Sequence, residues 1–169
     1  MLLKFNTFLL HLFLYASMRI REHTEQDFSM LVELMQKADN RPKEWAISRA
    51  RSHQNNAHKT ILIAEEDGCV LGYVGIRESE TNAETEVILG SQLDHLACLT
   101  WIAVHPDFRR RGIATELLKN CGSWASEKDK KGIWLDCRKK LVPFYENAGY
   151  VVAGSYSDKG SERYVLVKQ

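Results

Sequence analysis

The stretch that most limits the fold is "HLACLTWIAVHPDFRRRGIATELLKNCGSWA", running from His95 to Ala125. Its first part is a near-continuous apolar run, which reads as a strand buried on both faces at the centre of a sheet. Pro106 ends it, because proline has no N–H to give to a ladder. After a short polar turn the period changes: Ile113, Leu117, Leu118, Cys121, Trp124 and Ala125 fall on one face of a helix. A doubly buried strand that feeds a helix through a tight turn calls for a covered sheet. The expected class is therefore α/β, one domain with a mixed central sheet of about six or seven strands and helices on both faces.

The remaining segments fit that frame. "MRIREHT" alternates as a short strand, and Thr24 with Asp27 three residues on resembles a capping box before the helical run Phe28, Leu31, Val32, Leu34, Met35 and Ala38. A second helix follows Pro42 in "KEWAISRARSH", then a loop in "QNNAHK". "TILIAEEDGCVLGYVGIRES" reads as a hairpin about Asp67-Gly68, and residues 80 to 90 read as a polar connection with its acids on a solvated edge. Beyond the central stretch, Lys128 to Lys131 form a charged loop, "GIWLDC" a strand, and "LVPFYENAG" a short helix stopped by Gly149. "YVVAGSY" and "ERYVLVK" close the domain as a strand pair around Lys159-Gly160.

Charge excludes one class of function. The 23 Lys and Arg nearly balance 22 Asp and Glu, for a net charge of +1, so there is no global attraction to nucleic acid or to an anionic membrane. The four cysteines, Cys69, Cys98, Cys121 and Cys137, lie in apolar segments without C-x-x-C pairing, and are expected to be reduced and packed as small hydrophobes in a cytoplasmic protein. No metal is expected. Residues 1–17, "MLLKFNTFLLHLFLYAS", are Leu- and Phe-rich and stand apart from the domain at 18–169. The run is too short for a stable membrane span of roughly 20 residues. It resembles the apolar part of a signal peptide but has a poor small-x-small cleavage site, so translation from Met18, or an apolar arm packing on the domain, is preferred to export.

Chemistry is concentrated after the central strand. The first N–H groups of a helix have no internal partners and sit at the positive end of its dipole, so a strand, a turn and a glycine-opened helix together make an anion site. Gly112 leaves the backbone open to a phosphate, Ala114 is small at the next close approach, and Thr115 adds a hydroxyl. The arginines bring fork-shaped donors suited to phosphate oxygens. This is neither a Walker loop nor a G-x-G-x-x-G fingerprint.

"Arg109-Arg110-Arg111-Gly112-Ile113-Ala114" resembles the Gln/Arg-x-x-Gly-x-Gly/Ala signature of the GNAT-type N-acetyltransferases, and it lies where that family places it, between a central strand and the next helix. "VPFYENAGY" is similar to the family's later Phe-Tyr-x-x-x-Gly-Tyr/Phe segment, and the order of elements from Met18 to Gln169 also fits. The resemblance implies acetyl-CoA, or another acyl-CoA, as co-substrate. It implies that the main chain of Ile102, Ala103 and Val104 pairs with the pantetheine arm, and that N–H groups of Arg110, Arg111, Gly112, Ile113, Ala114 and Thr115 hold the diphosphate, with Arg109 completing the pattern. It gives Tyr145 the role of donor to the leaving thiolate.

The same resemblance leaves parts of the mechanism open. Asp94, His95, Glu65, Glu66, Glu78 and a water are all candidates for the base, and strand alternation would put Asp94 and His95 on opposite faces. Many family members have an asparagine seven residues before the tyrosine; here Arg138 stands there, followed by Lys139 and Lys140, either near a 3′-phosphate or solvated at a strand end. The acceptor is an amine of a small molecule or protein, with Trp45 and the acids Glu78, Glu80, Glu84 and Glu86 in the segments nearest to it; those acids read more simply as an ordinary polar loop. A homodimer is a further expectation. The rival to an N-acyltransferase is a non-catalytic module of the same fold that binds acyl-CoA for regulation.

Overall fold

A computed structural model describes residues 18–54 and 56–169, so the expectations for residues 1–17 lie outside the described residues. The strands are β1 (Arg19–Glu22), β2 (Lys59–Glu66), β3 (Cys69–Arg77), β4 (Leu96–Val104), β5 (Gly132–Arg138), β6 (Val151–Asp158) and β7 (Ser161–Lys168). The helices are α1 (Phe28–Asp39), α2 (Lys43–Ser52), α3 (Ala83–Leu89), α4 (Ile113–Glu127) and α5 (Val142–Asn147). The strands form one seven-stranded sheet in the order β1-β2-β3-β4-β5-β7-β6. Its single parallel pair is β4 with β5, and α4 is the crossover that such a pair requires.

Local chemistry explains the boundaries. Asp67 and Gly68 have φ of 52° and 76°, and Lys159 and Gly160 have 48° and 77°, the paired positive values that a two-residue hairpin turn demands. Before α1, the Asp27 carboxylate accepts from the Thr24 N–H at 2.7 Å and from its hydroxyl at 2.9 Å. The same carboxylate receives two bonds from Arg21, at 2.7 and 2.8 Å, which tie the helix start to β1.

The helices cover both faces. Leu31, Leu34, Met35, Ala46 and Ala50 of α1 and α2 pack on Ile61, Ile63 and Tyr73. On the other face, the six apolar residues expected to line α4 are all buried, against Leu62, Val74, Leu99 and Leu135 among others. Truncating a fully buried leucine such as Leu117 to alanine in a core like this costs about 2–5 kcal/mol.

Three expectations are corrected. Residues 80 to 90 are not a plain connection: Asn82 Oδ1 accepts from the Thr85 N–H at 2.9 Å, the Thr85 hydroxyl accepts from the Asn82 N–H at 3.1 Å, and α3 follows. A helix of seven residues is too short to show periodicity; Thr85 and Leu89, four apart and both buried, are its only trace. Cys69 is exposed at the start of β3, whereas the other three thiols are buried.

The third correction concerns β4. Leu96 to Leu99 are buried, but Thr100 to Val104 are only half-buried, because β5 pairs with β4 at Leu96, Ala97 and Cys98 and then departs. A bulge at Thr100 bends β4 at the same level: Gly75 pairs with Trp101 and Ile76 with Leu99, leaving Thr100 over. The sheet is thereby opened along one edge of its central strand.

Candidate functional site

A cleft of about 560 Å³ occupies this opening. One wall is the unpaired end of β4, with Ile102, Ala103 and Val104; another is the first turn of α4, with Gly112, Ile113, Ala114 and Thr115; Arg109 and Arg110 edge it, and Tyr145 closes it from α5. Of the residues that the resemblance assigns to the cofactor or to the leaving thiolate, all but Arg111 therefore border one cavity. That side chain turns away, with Nη2 at 2.9 Å from both carboxylate oxygens of Glu66.

The strand wall offers main chain. β3 fills the other edge of β4 throughout, pairing Gly72 with Val104, Tyr73 with Ala103 and Val74 with Ile102. On the cleft side no strand of the described residues faces these residues beyond Cys98, so an extended ligand can pair there as a strand would.

The helix wall offers N–H groups. The first helical bond runs from the Glu116 N–H to the Gly112 carbonyl at 3.1 Å, which leaves Ile113, Ala114 and Thr115 without helical acceptors. Among the described residues no side chain caps this end. Arg110 at φ 66° and Gly112 at φ 77° bend the chain into it. A Cβ built on Gly112 would meet no atom within 4 Å, so glycine here meets the left-handed turn and leaves the adjoining space to a ligand. Fifteen residues of α4 lie behind this end, with their dipole favouring an anion at it.

Arg109 has a different part from the one its charge suggests. Its Nε donates to the Val104 carbonyl at 3.2 Å and its Nη2 reaches the Ala38 carbonyl at 3.5 Å, joining the ends of β4 and α1 beside the cleft. Tyr145 is 5% exposed, with edge-on contacts to Phe144 at 5.0 Å and Tyr150 at 5.8 Å between ring centroids. Burial holds its phenol protonated far above neutrality. Among the described residues no hydrogen bond occupies its hydroxyl, which is left for the cleft.

Sequence reasoning missed the far rim. Ala38 and Asp39 from the end of α1, Phe108, Leu141 and Phe144 also line the cavity. The Asp39 carboxylate accepts a hydrogen bond from the buried Tyr73 hydroxyl, and burial raises its pKa. An acid in the last turn of a helix opposes the dipole, and that was the available signal.

The side chains named as base candidates all lie outside the cleft lining. Asp94 and His95 are exposed in a 3₁₀ turn, Gly90–His95, at the opposite end of β4, about 26 Å from Val104 at the usual strand rise. Strand alternation therefore does not apply to them. Glu65 is held by Arg19 at 2.8 Å and the Gly68 N–H at 3.0 Å, Glu66 by Arg111, and Glu78 by His58 at 3.1 Å. Arg138, Lys139 and Lys140 are exposed and do not border the cleft. Among the described residues no cluster of His, Cys, Asp and Glu could hold a metal, and no helix is long and apolar enough to cross a membrane.

Comparison with known proteins follows the same lines. The model of the "Acetyltransferase (GNAT) family" matches residues 19–150. An aminoglycoside 6′-N-acetyltransferase solved with coenzyme A superimposes with a TM-score of 0.71 at 15% identity, over 89% of this chain and 96% of that one. A protein described as a streptothricin acetyltransferase from Bacillus anthracis, solved with acetyl coenzyme A, gives 0.68 at 18% identity over 92% and 98%. A PaiA N-acetyltransferase from Thermoplasma acidophilum, in complex with coenzyme A, gives 0.63 at 17% identity over 90% and 99%. At these identities the likeness is one of fold.

Proposed function

With a family model spanning residues 19–150, the chain belongs to the acetyltransferase (GNAT) family, and from that premise we propose that residues 18–169 are an acetyl-CoA-dependent N-acetyltransferase acting on a primary amine by direct attack in a ternary complex. The observation that carries the reading is the single cleft in which the open edge of β4, the uncapped start of α4 and the Tyr145 phenol meet. The coenzyme A and acetyl-CoA held by the structural neighbours support the same co-substrate here.

The residues present fit that group. The main chain of Ile102 to Val104 would take the pantetheine arm, and the N–H groups from Arg110 to Thr115, with Arg111 contributing main chain only, would take the diphosphate. When bound, the thioester supplies an activated acetyl group whose carbonyl is open to an amine. The protein supplies the rest. The bulge at Thr100 and the departure of β5 open N–H groups of β4 to a developing oxyanion. Tyr145, kept neutral by burial, donates its proton or a hydrogen bond to the departing sulfur. The acceptor enters as an ammonium and loses its proton through water, since none of the carboxylates proposed from the sequence reaches the cleft.

The active protein is placed in the cytoplasm, where acyl-CoA is available. A homodimer is the oligomer proposed, supported by the outermost strand β6, which leaves Val151 and Val152 exposed. The reading is tested by following thiol release from acetyl-CoA across a panel of small amines and lysine peptides. Turnover with at least one class of amine is expected. Stoichiometric acetyl-CoA binding without release to any amine would instead make the chain a binding module.

A further inference from the structure

Beyond Ala103, the face of the sheet covered by α1 and α2 carries an arginine whose position the fold and the cofactor cleft leave unexplained. Trp45 and Arg49 are four apart on α2 and share a face, with the guanidinium 5.4 Å from the Trp45 ring centroid. The same guanidinium lies 4.8 Å from the centroid of Trp101 on β4. Arg49 thus stands between two indoles, one from a helix and one from the central strand.

Trp101 is held firmly. His53 meets it edge-on at 4.8 Å, and its ring lies over Gly75 so closely that a Cβ there would come within 2.8 Å of it. Glycine at position 75 is thus a condition for the indole's placement. Trp101 follows the bulge at Thr100 and lies two residues from Ala103, which borders the cleft; at the strand rise this is about 7 Å, on the same face. The Arg49 site therefore adjoins the end of the cleft where the pantetheine arm would end.

The nearby charges are mixed: Arg77 and Arg41 act against the Arg49 charge, and the Glu80 carboxylate, itself paired with Arg77, acts for it. Among the described residues the Arg49 guanidinium has no ion pair or hydrogen bond, although burial acts against its charge. Arg41 lies 5.2 Å from the Trp45 ring on the outer side. Three of the four acids expected to draw a cationic amine are engaged, Glu80 by Arg77, Glu78 by His58 and Glu86 by the Thr81 hydroxyl, and Glu84 is the fourth. A guanidinium placed over two rings, with no acceptor among the described residues, keeps N–H donors for a carboxylate, which it can take in a bidentate pair.

We propose that Arg49, lying between the Trp45 and Trp101 rings, binds a carboxylate of the acetyl acceptor, so that the substrate is an amino-acid-like or peptide amine bearing a nearby carboxylate. The inference rests on the acetyltransferase reading above. It makes Arg49 a specificity-determining residue, with no role in proton transfer.

The test uses the product side. The full chain is saturated with coenzyme A, and that binding is recorded first. It is then titrated calorimetrically with N-acetylglycine, N-acetylleucine and N-acetylphenylalanine, and with the carboxamide of each. At least one carboxylate is expected to bind about tenfold or more tighter than its carboxamide. That preference should vanish in Arg49→Gln and be only partly kept in Arg49→Lys, with coenzyme A affinity unchanged in both. Equal binding of acid and amide, or no binding of any of the six, overturns the proposal while leaving the enzyme reading intact. Failure of coenzyme A to bind the wild-type chain removes the enzyme reading itself. Since the acid and amide comparison is made on the wild-type chain, it stands even if the variants fold poorly.

Discussion

The guanidinium of Arg109 donates through Nε to the carbonyl of Val104, 3.2 Å away and five residues earlier, so the loop that opens α4 is anchored to the last residue of β4. The arginine most responsible for recognising the motif in the sequence thus acts on the protein's own main chain. Its side chain is exposed, so Arg109→Ala should cost little in stability, under about 1 kcal/mol. The same change should weaken acetyl-CoA binding about tenfold by loosening the loop, whereas Arg111→Ala should alter binding less than about twofold. Parallel thermal melts and binding titrations on the two variants distinguish these effects, and equal losses of affinity would contradict the assignment.

Gly112 tests the helix start. At φ 77° a side chain is strained, by about 1 kcal/mol for alanine, even though a Cβ would meet no protein atom. If the space beside it belongs to a diphosphate, Gly112→Val should lose far more affinity for coenzyme A than its modest fall in melting temperature explains. Matched small losses would mean that the glycine serves the turn alone.

Tyr145→Phe removes one oxygen from a buried aromatic cluster and leaves its packing largely intact. The expected outcome is a fall in kcat of about a hundredfold with the KM for acetyl-CoA nearly unchanged. A synthetic acetyl thioester whose thiol is a better leaving group than that of coenzyme A should suffer less. A rise in KM alone would make the phenol a binding contact.

Stability should fall in acid in two stages. Burial pushes the His53 imidazole down to about 4, and burial likewise lowers His23, so the unfolded chain binds protons that the folded one refuses. Stability is then full above the unfolded value near 6.5 and declines as the pH drops towards 4, by up to about 3 kcal/mol for His53. Below that, Asp27 takes over: Arg21 holds its carboxyl well under the usual carboxylate range, and its contribution is lost as the carboxyl protonates. Urea denaturation between pH 7 and 4 should show the first decline in the wild-type chain and a shallower one in His53→Gln.

Much of this was legible along the chain because it is local. The period change at Pro106, the Asp67-Gly68 and Lys159-Gly160 turns and the apolar stripe of α4 each follow from a few neighbouring residues. So does the cradle, since Val104, Gly112 and Thr115 occupy one continuous stretch. What escaped depends on pairing across the sheet. Where β5 leaves β4 is set at Cys98 and Trp134, thirty-six positions apart in the sequence, and no residue of β4 announces it. Asp39 on the cleft rim and Arg49 between two tryptophans are likewise placed by contacts between distant elements. Asp94 and His95 show the converse: adjacency to the central strand in sequence says nothing about which of its two ends borders the cleft.

The central claim is that the open edge of β4 and the start of α4 together form one acyl-CoA site. Isothermal titration of the chain with acetyl-CoA addresses it most directly. The account requires saturable binding at one site per chain, weakened at least tenfold by Gly112→Val. An absence of saturable heat from the folded protein, or equal binding by the Gly112→Val variant, would contradict it.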